Sequence, residues 1–175
     1  MSEITISMIR SRPVASAAIA ITAVGAATIL GAWIFQYGLG LQPCPLCLEQ
    51  RYAYYLALPL AAFIAFLAAR GALRHVLMAG FVILLLATLA NAWLGGYHAG
   101  VEWQFWPGPT DCSGPIADFG KAGNLLEQLD KVKVVRCDEV QWRFLGLSLA
   151  GYNVLISLAM AAIALWGFVA SARRA

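Results

Sequence analysis

Residues 13–48 read PVASAAIAITAVGAATILGAWIFQYGLGLQPCPLCL and contain no Asp, Glu, Lys or Arg across 36 positions. A membrane-spanning helix needs about 20 consecutive apolar residues, so this stretch predicts a first span at about 14–37. A cleaved signal peptide is the competing interpretation, but its apolar region would be only about 7 to 15 residues long. The length of the run therefore favours a retained helix.

The rest of the chain is similarly apolar. Only 12% of its 175 residues are charged and the mean hydropathy is +0.74, whereas a soluble domain carries about 25% charged residues. Three further apolar runs predict spans at about 48–69, 75–95 and 144–170. We therefore expect an all-α membrane protein, a four-helix transmembrane bundle that forms a single domain over 1–175. The net charge of +3 is small and scattered, so we expect no nucleic-acid partner.

Arginines at the ends of the predicted spans indicate how the chain is oriented. One side of the membrane collects the basic residues Arg10, Arg12, Arg70, Arg74, Arg173 and Arg174. Short segments rich in Arg and Lys stay in the cytoplasm. We therefore expect both termini to be cytoplasmic, and two loops, at about 38–47 and 96–143, to lie on the outer side with all four cysteines.

The second outer loop has two parts. Residues 96–115 are rich in Gly, Pro and Trp without a consistent period, which predicts an irregular loop. From Asn124 onward, Leu125, Leu126, Leu129 and Val132 recur at helical spacing. This pattern predicts a short amphipathic helix at the membrane interface.

A Cys-x-x-Cys pair lies in PCPLCLEQR, residues 43–51, between the first two spans. Two intervening residues let the sulfurs of Cys44 and Cys47 form a bond that stays reducible, which indicates a redox dithiol. A structural bridge is the alternative, but closing so short a loop would stabilise the fold little. The pair is therefore a candidate catalytic centre.

Cys112 and Cys137 lie in the second outer loop and are open to two interpretations. They could staple the loop, or they could relay electrons to the first pair, because exchange needs only that one thiolate reach a sulfur of the other bridge. A zinc site using all four cysteines is a third alternative. Cys112 and Cys137 are 25 positions apart and form no second Cys-x-x-Cys, and an oxidising compartment disfavours four free thiolates. We therefore expect no metal.

Two further residues are candidates for binding a cofactor. Arg51 follows Cys47 by four positions, so on a helix it would face back toward that cysteine; the alternative is that it extends to the lipid head groups. His98 lies at the outer end of the third span, where interfacial hydrogen bonding is the commoner role.

The pattern resembles the DsbB family, the bacterial inner-membrane disulfide bond formation proteins. The resemblance rests on LQPCPLC at 41–47 with Arg51, on Tyr97-His98 before the Cys112 loop, and on QWRFLGL at 141–147 after Cys137. It covers nearly the whole chain and implies a four-helix bundle in the inner membrane. It also implies an enzyme that reoxidises DsbA, the periplasmic thiol oxidase, and reduces ubiquinone or menaquinone.

The resemblance also implies a role for each candidate residue. Cys112 would form the mixed disulfide with the partner, Cys137 would exchange with Cys44, and Cys47 would engage the quinone. Arg51 and His98 would lie near the quinone. Gln50 stands where some relatives have Glu, so no acid–base role is expected for it.

Two other hypotheses fit part of the pattern. A vitamin K epoxide reductase-like protein also places a Cys-x-x-Cys beside a quinone, but its active pair comes late in the bundle, whereas this pair follows the first span. A non-catalytic membrane scaffold stapled by disulfides or zinc would carry the same cysteines without redox turnover.

Overall fold

The computed structural model describes residues 2–109 and 135–173, with side chains from residue 13 onward. In these parts of the chain, four helices are long and apolar enough to cross a membrane, which confirms the predicted all-α bundle. They are α1 (Ser2–Trp33), α2 (Pro45–Ala69), α3 (Arg74–Glu102) and α4 (Leu149–Ala172). A π-helical turn (Ile34–Gly38) extends α1, and a short hairpin of β1 (Arg143–Phe144) and β2 (Leu147–Ser148) precedes α4. The single-domain organisation stays a prediction, and the predicted interfacial helix lies outside the described residues.

The helices form a closed ring. Each packs against the next one along the chain, and α1 packs against α4. Buried apolar side chains from all four helices form one core, which includes Ile21, Ile64, Phe81 and Met160. Small residues let the helices approach closely: a Cβ on Gly167 of α4 would overlap the Phe81 ring of α3. Such close approach is typical of helix contacts within membranes.

The third helix is longer than predicted. It continues through 96–102, which we expected to be irregular loop, and ends at Glu102. The two glycines at 95 and 96 do not end it, because Gly95 is a contact point with α4: an added Cβ would lie 3.0 Å from Nδ2 of Asn153. Packing against α4 therefore outweighs the low helix propensity of glycine, and the extra turns carry His98 into the bundle.

The fourth helix begins later than the predicted residue 144. Leu145 and Gly146 both have positive φ angles, 49° and 82°, as the two central residues of a tight hairpin turn require. Ser148 then caps α4, its Oγ accepting a hydrogen bond from the backbone N–H of Gly151 at 3.2 Å. The hairpin and the Ser148 cap thereby set the start of α4 at Leu149.

Candidate functional site

The start of α2 positions the first cysteine pair. Cys44 caps the helix, and its sulfur accepts a hydrogen bond from the backbone N–H of Cys47 at 3.3 Å. Pro45 occupies the first helical position, where its fixed φ suits the helix and its missing N–H has no partner to lose. The helix therefore begins at Pro45, three residues before the predicted 48, and Cys47 lies in its first turn.

The two sulfurs lie together in the reduced state. Cys44 and Cys47 are both free thiols, and Cys44 Sγ donates a hydrogen bond to Cys47 Sγ across 2.8 Å. This hydrogen bond, together with burial, raises the pKa of the Cys44 thiol. The shared proton thus stays on Cys44, and Cys47 is the acceptor.

His98 lies beside this dithiol. Its side chain is buried, with the residue 2% exposed, and its Nε2 lies 3.6 Å from Cys44 Sγ. The same nitrogen lies 3.9 Å from Oε1 of Glu102, one helical turn further along α3. The backbone of Cys137 is a further hydrogen-bond partner of the ring. Sequence reasoning placed His98 near the outer end of the span, but its burial beside Cys44 and Cys137 depends on the extension of α3.

A buried network of amide side chains supports the histidine. Gln50 Nε2 lies 2.9 Å from His98 Nδ1, and Gln50 Oε1 accepts a hydrogen bond from Asn153 Nδ2 at 2.6 Å. Asn153 Oδ1 in turn accepts from the Tyr54 hydroxyl at 2.6 Å and from Asn91 Nδ2 at 3.2 Å. The network joins α2, α3 and α4. Sequence analysis assigned Gln50 no acid–base role, because Gln50 stands where some relatives have Glu. It gave Asn153 no role, since the partners of Asn153 are far away along the chain.

Arg51 lies on the same side of α2 as the dithiol, but its described hydrogen bond is to a residue that the sequence did not suggest. Its Nη1 donates to Oε1 of Gln36 at 2.7 Å. Gln36 belongs to the π-helical turn after α1, a local distortion that is common at functional sites. The turn therefore brings a glutamine to the arginine from a neighbouring helix.

These residues surround one cavity of about 610 Å³. Its volume lies within the usual range for small-molecule sites. Apolar side chains of α1 and α4 form much of its wall, including Val24, Ile29 and Ile156. The polar lining residues include Cys44, Cys47, Gln50, Arg51, His98 and Glu102. Glu102 was not a candidate in the sequence; its position four residues after His98 becomes meaningful only once both lie on α3.

The second cysteine pair is described in part. Cys137 is disulfide-bonded and buried, and it belongs to the same buried cluster as Cys44, Leu46 and Val101. Cys112 lies outside the described residues. The structure therefore brings four of the six candidate residues, Cys44, Cys47, Arg51 and His98, around one cavity, with Cys137 packed nearby.

A metal is a possible alternative at this site, because the ligand atoms of Cys44, Cys47 and His98 all lie within 4.8 Å of one another. A metal-bound histidine usually donates its other ring N–H to an acceptor. Here the other ring nitrogen, Nδ1, faces the amide nitrogen of Gln50, which is itself a donor. The surroundings of the ring therefore favour a redox dithiol over a metal centre.

Residues 14–167 match the family model described as Disulfide bond formation protein DsbB. The chain belongs to the DsbB family. This assignment displaces the vitamin K epoxide reductase-like and scaffold hypotheses. DsbB-family proteins reoxidise DsbA and are quinone-dependent, so this chain is a thiol oxidoreductase of disulfide bond formation and a multi-pass membrane protein.

Individual relatives agree with this assignment. A protein named Disulfide bond formation protein B from Aromatoleum aromaticum is 33% identical over 144 residues, covering 78% of this chain and 81% of the relative. A protein of the same name from Azoarcus sp. is 31% identical over 157 residues, covering 85% and 88%. Disulfide bond formation protein B 1 from Pseudomonas fluorescens is 35% identical over 135 residues, covering 74% of each chain. The similarity thus extends over most of the bundle.

Proposed function

We propose that this enzyme takes electrons from a DsbA-like periplasmic thiol oxidase and delivers them to ubiquinone or menaquinone bound in the cavity beside Cys47. The observation that carries the proposal is the cavity itself, which brings a reduced dithiol, an arginine and a buried histidine to a largely apolar chamber. A quinone has a flat ring with two carbonyl oxygens and an apolar tail, so this set of donors and walls fits it. A bound quinone supplies a two-electron acceptor and takes up two protons as it becomes the hydroquinone.

The first step is exchange with the partner. We assign Cys112 the mixed disulfide with the partner, which forms when a partner thiolate attacks Cys112 and the Cys112–Cys137 bond breaks, so that Cys137 leaves as a thiolate. The partner's second thiolate then displaces Cys112, which leaves the partner oxidised. The thiolate released at Cys137 attacks the sulfur of Cys44 when Cys44 and Cys47 are bridged. The Cys44–Cys47 bond breaks, a Cys44–Cys137 bond forms, and Cys47 leaves as a thiolate. The shared buried cluster of Cys44 and Cys137 supports this route.

Cys47 is the thiol that faces the acceptor. It lies in the first turn of α2, where the aligned peptide dipoles stabilise negative charge. The hydrogen bond from Cys44 adds to this stabilisation. We assign Arg51, held on the cavity wall by Gln36, to the binding of a quinone oxygen, and His98 to the same end of the cavity as the dithiol.

The distribution of arginines indicates how the chain is oriented in the membrane. Because six arginines flank the predicted spans on the side opposite the cysteines, we propose that both termini are cytoplasmic and that the dithiol lies on the periplasmic side of the bacterial inner membrane. The electron donor then approaches from the periplasm, and the acceptor enters from the lipid bilayer.

Quinone reduction by reduced partner, measured optically in reconstituted membranes, tests the proposal. Cys47→Ser should abolish it, whereas Ser171→Ala, whose hydroxyl bonds only to the Gly167 carbonyl of its own helix among the described contacts, should retain it. Unchanged turnover in Cys47→Ser would refute the assignment. Arg51→Ala should raise KM for quinone by about tenfold, the loss of one charge-assisted hydrogen bond, and leave KM for the partner unchanged. An equal rise in both constants contradicts a quinone-binding role.

A further inference from the structure

We propose that Gln50 is a positioning residue that fixes the tautomer of His98, so that Nε2 carries the ring proton and directs it at Cys44. His98 then acts as a hydrogen-bond donor to the cysteine rather than as a base that removes its proton. The catalytic consequence rests on the proposed function of the site, but the tautomer itself does not.

The orientation of the Gln50 amide is fixed by its two other contacts. Its Nε2 lies 3.1 Å from the carbonyl oxygen of Leu46, an atom that can only accept. Its Oε1 lies 2.6 Å from Nδ2 of Asn153, an atom that can only donate. Exchanging the amide nitrogen and oxygen would place an acceptor against the Leu46 carbonyl oxygen and a donor against Nδ2 of Asn153. The NH₂ group therefore faces Leu46 and His98.

The orientation of Asn153 is fixed in the same way. Its Oδ1 accepts from Nδ2 of Asn91, and that nitrogen also donates to the hydroxyl of Ser157 at 2.9 Å. The Tyr54 hydroxyl donates to the same Oδ1 at 2.6 Å. All four side chains are buried. The direction of the Asn153 amide thus agrees with the direction that the Leu46 carbonyl sets for Gln50.

The tautomer follows from this direction. His98 Nδ1 lies 2.9 Å from the Gln50 nitrogen, so Nδ1 accepts and carries a lone pair. In a neutral imidazole the proton must then be on Nε2. The neighbours of Nε2 agree, because the Cys44 sulfur at 3.6 Å and the Glu102 carboxylate at 3.9 Å are both acceptors.

A ring N–H at this position affects the chemistry of Cys44. It stabilises negative charge on that sulfur when the Cys112 thiolate attacks Cys137, the Cys44–Cys137 bond breaks and Cys44 leaves as a thiolate. It also denies Cys44 a nitrogen lone pair, so the thiol proton is shared with Cys47 instead. Both effects favour disulfide exchange at Cys44 and leave the negative charge of the thiolate that faces the quinone on Cys47.

Nitrogen NMR of histidine-labelled protein in micelles tests the tautomer directly. The chain contains only two histidines, and His75 lies exposed at the opposite end of α3, so a His75→Gln variant assigns both rings. We expect Nδ1 of His98 to be unprotonated and Nε2 to carry the proton. A spectrum with the proton on Nδ1 would overturn the proposal.

A variant of Gln50 tests whether this residue determines the tautomer of His98. In Gln50→Glu the donor is replaced by a carboxylate, which accepts, so we expect Nδ1 of His98 to become protonated. Quinone reduction should fall by about tenfold, the loss of one hydrogen bond to a charged sulfur. Gln104→Glu adds the same charge at an exposed position and should change neither readout. An unchanged ring spectrum in Gln50→Glu refutes the positioning role.

A double-mutant cycle separates positioning from general damage. If Gln50 acts through His98, adding Gln50→Glu to His98→Ala should reduce turnover by less than about twofold, because effects through a shared partner are not additive. Full additivity would show that Gln50 acts elsewhere and would overturn the proposal. Failure of the proposed function would instead leave the wild-type protein unable to reduce quinone with reduced partner, while the NMR result would still decide the tautomer.

Discussion

Replacing Asn153 by leucine should destabilise the bundle by about 2 kcal/mol. The side chain makes three hydrogen bonds between helices, to Gln50, Tyr54 and Asn91. Hydrogen bonds between membrane helices are worth ~0.6 kcal/mol each on average, which gives the stated total. Leucine has a similar volume, so the loss is mainly polar. A change of this size lowers the ratio of folded to unfolded protein by roughly thirtyfold.

The assay is equilibrium unfolding in mixed micelles with increasing SDS, followed by circular dichroism or tryptophan fluorescence. Thr88→Val is the matched control, because Thr88 is equally buried but its hydroxyl bonds only to carbonyls of its own helix among the described contacts, those of Leu84 and Leu85. We expect the control to lose less than about 0.5 kcal/mol. If Asn153→Leu loses no more than Thr88→Val, the network does not join the helices as argued.

Three further predictions concern the site and the packing of the helices around it. The pKa of Cys44 is raised by its hydrogen bond to Cys47, so less Cys44 is thiolate at a given pH. Its alkylation rate should therefore be lower than that of Cys47 and should keep rising above pH ~8.5, the ordinary pKa of a thiol. Peptide mass spectrometry measures both rates, and faster labelling of Cys44 contradicts the prediction. Glu102→Gln should change the free energy of unfolding by less than about 1 kcal/mol, because Oε2 has no hydrogen-bond partner among the described residues; a larger loss in the SDS titration would reveal an unrecognised partner. Gly167→Ala should cost ~1–3 kcal/mol by overlap with Phe81, and an unchanged unfolding midpoint would show that the ring moves aside freely.

Features carried by continuous stretches could be predicted from the sequence. Charge-free runs indicated four spans, because a bilayer excludes charge over a fixed length. The short spacing between Cys44 and Cys47 indicated a dithiol, and the four-residue spacing to Arg51 placed the arginine on the same side of a helix. Each of these inferences depends on neighbours along the chain, so local periodicity was sufficient.

Features that depend on contacts between helices could not be predicted. Gln50 and His98 are 48 positions apart, and Gln50 and Asn153 are 103 apart. The sequence shows that these residues are polar, but no local pattern predicts which buried side chains form hydrogen bonds with each other. The Gly-rich composition after residue 95 was misleading for the same reason: it suggested a loop, whereas Gly95 permits contact with α4 and α3 continues to Glu102.

The amide network also bears on how the enzyme is made. Ribosomes deliver the chain in order, so the cysteine pair reaches the membrane with α2 and the histidine with α3. The residue that holds Gln50 in place, Asn153, arrives only with α4, the last of the four helices. A nascent chain that stalls before that helix inserts therefore carries its thiols without a properly oriented imidazole. Full oxidising activity would then require α4 to be in place.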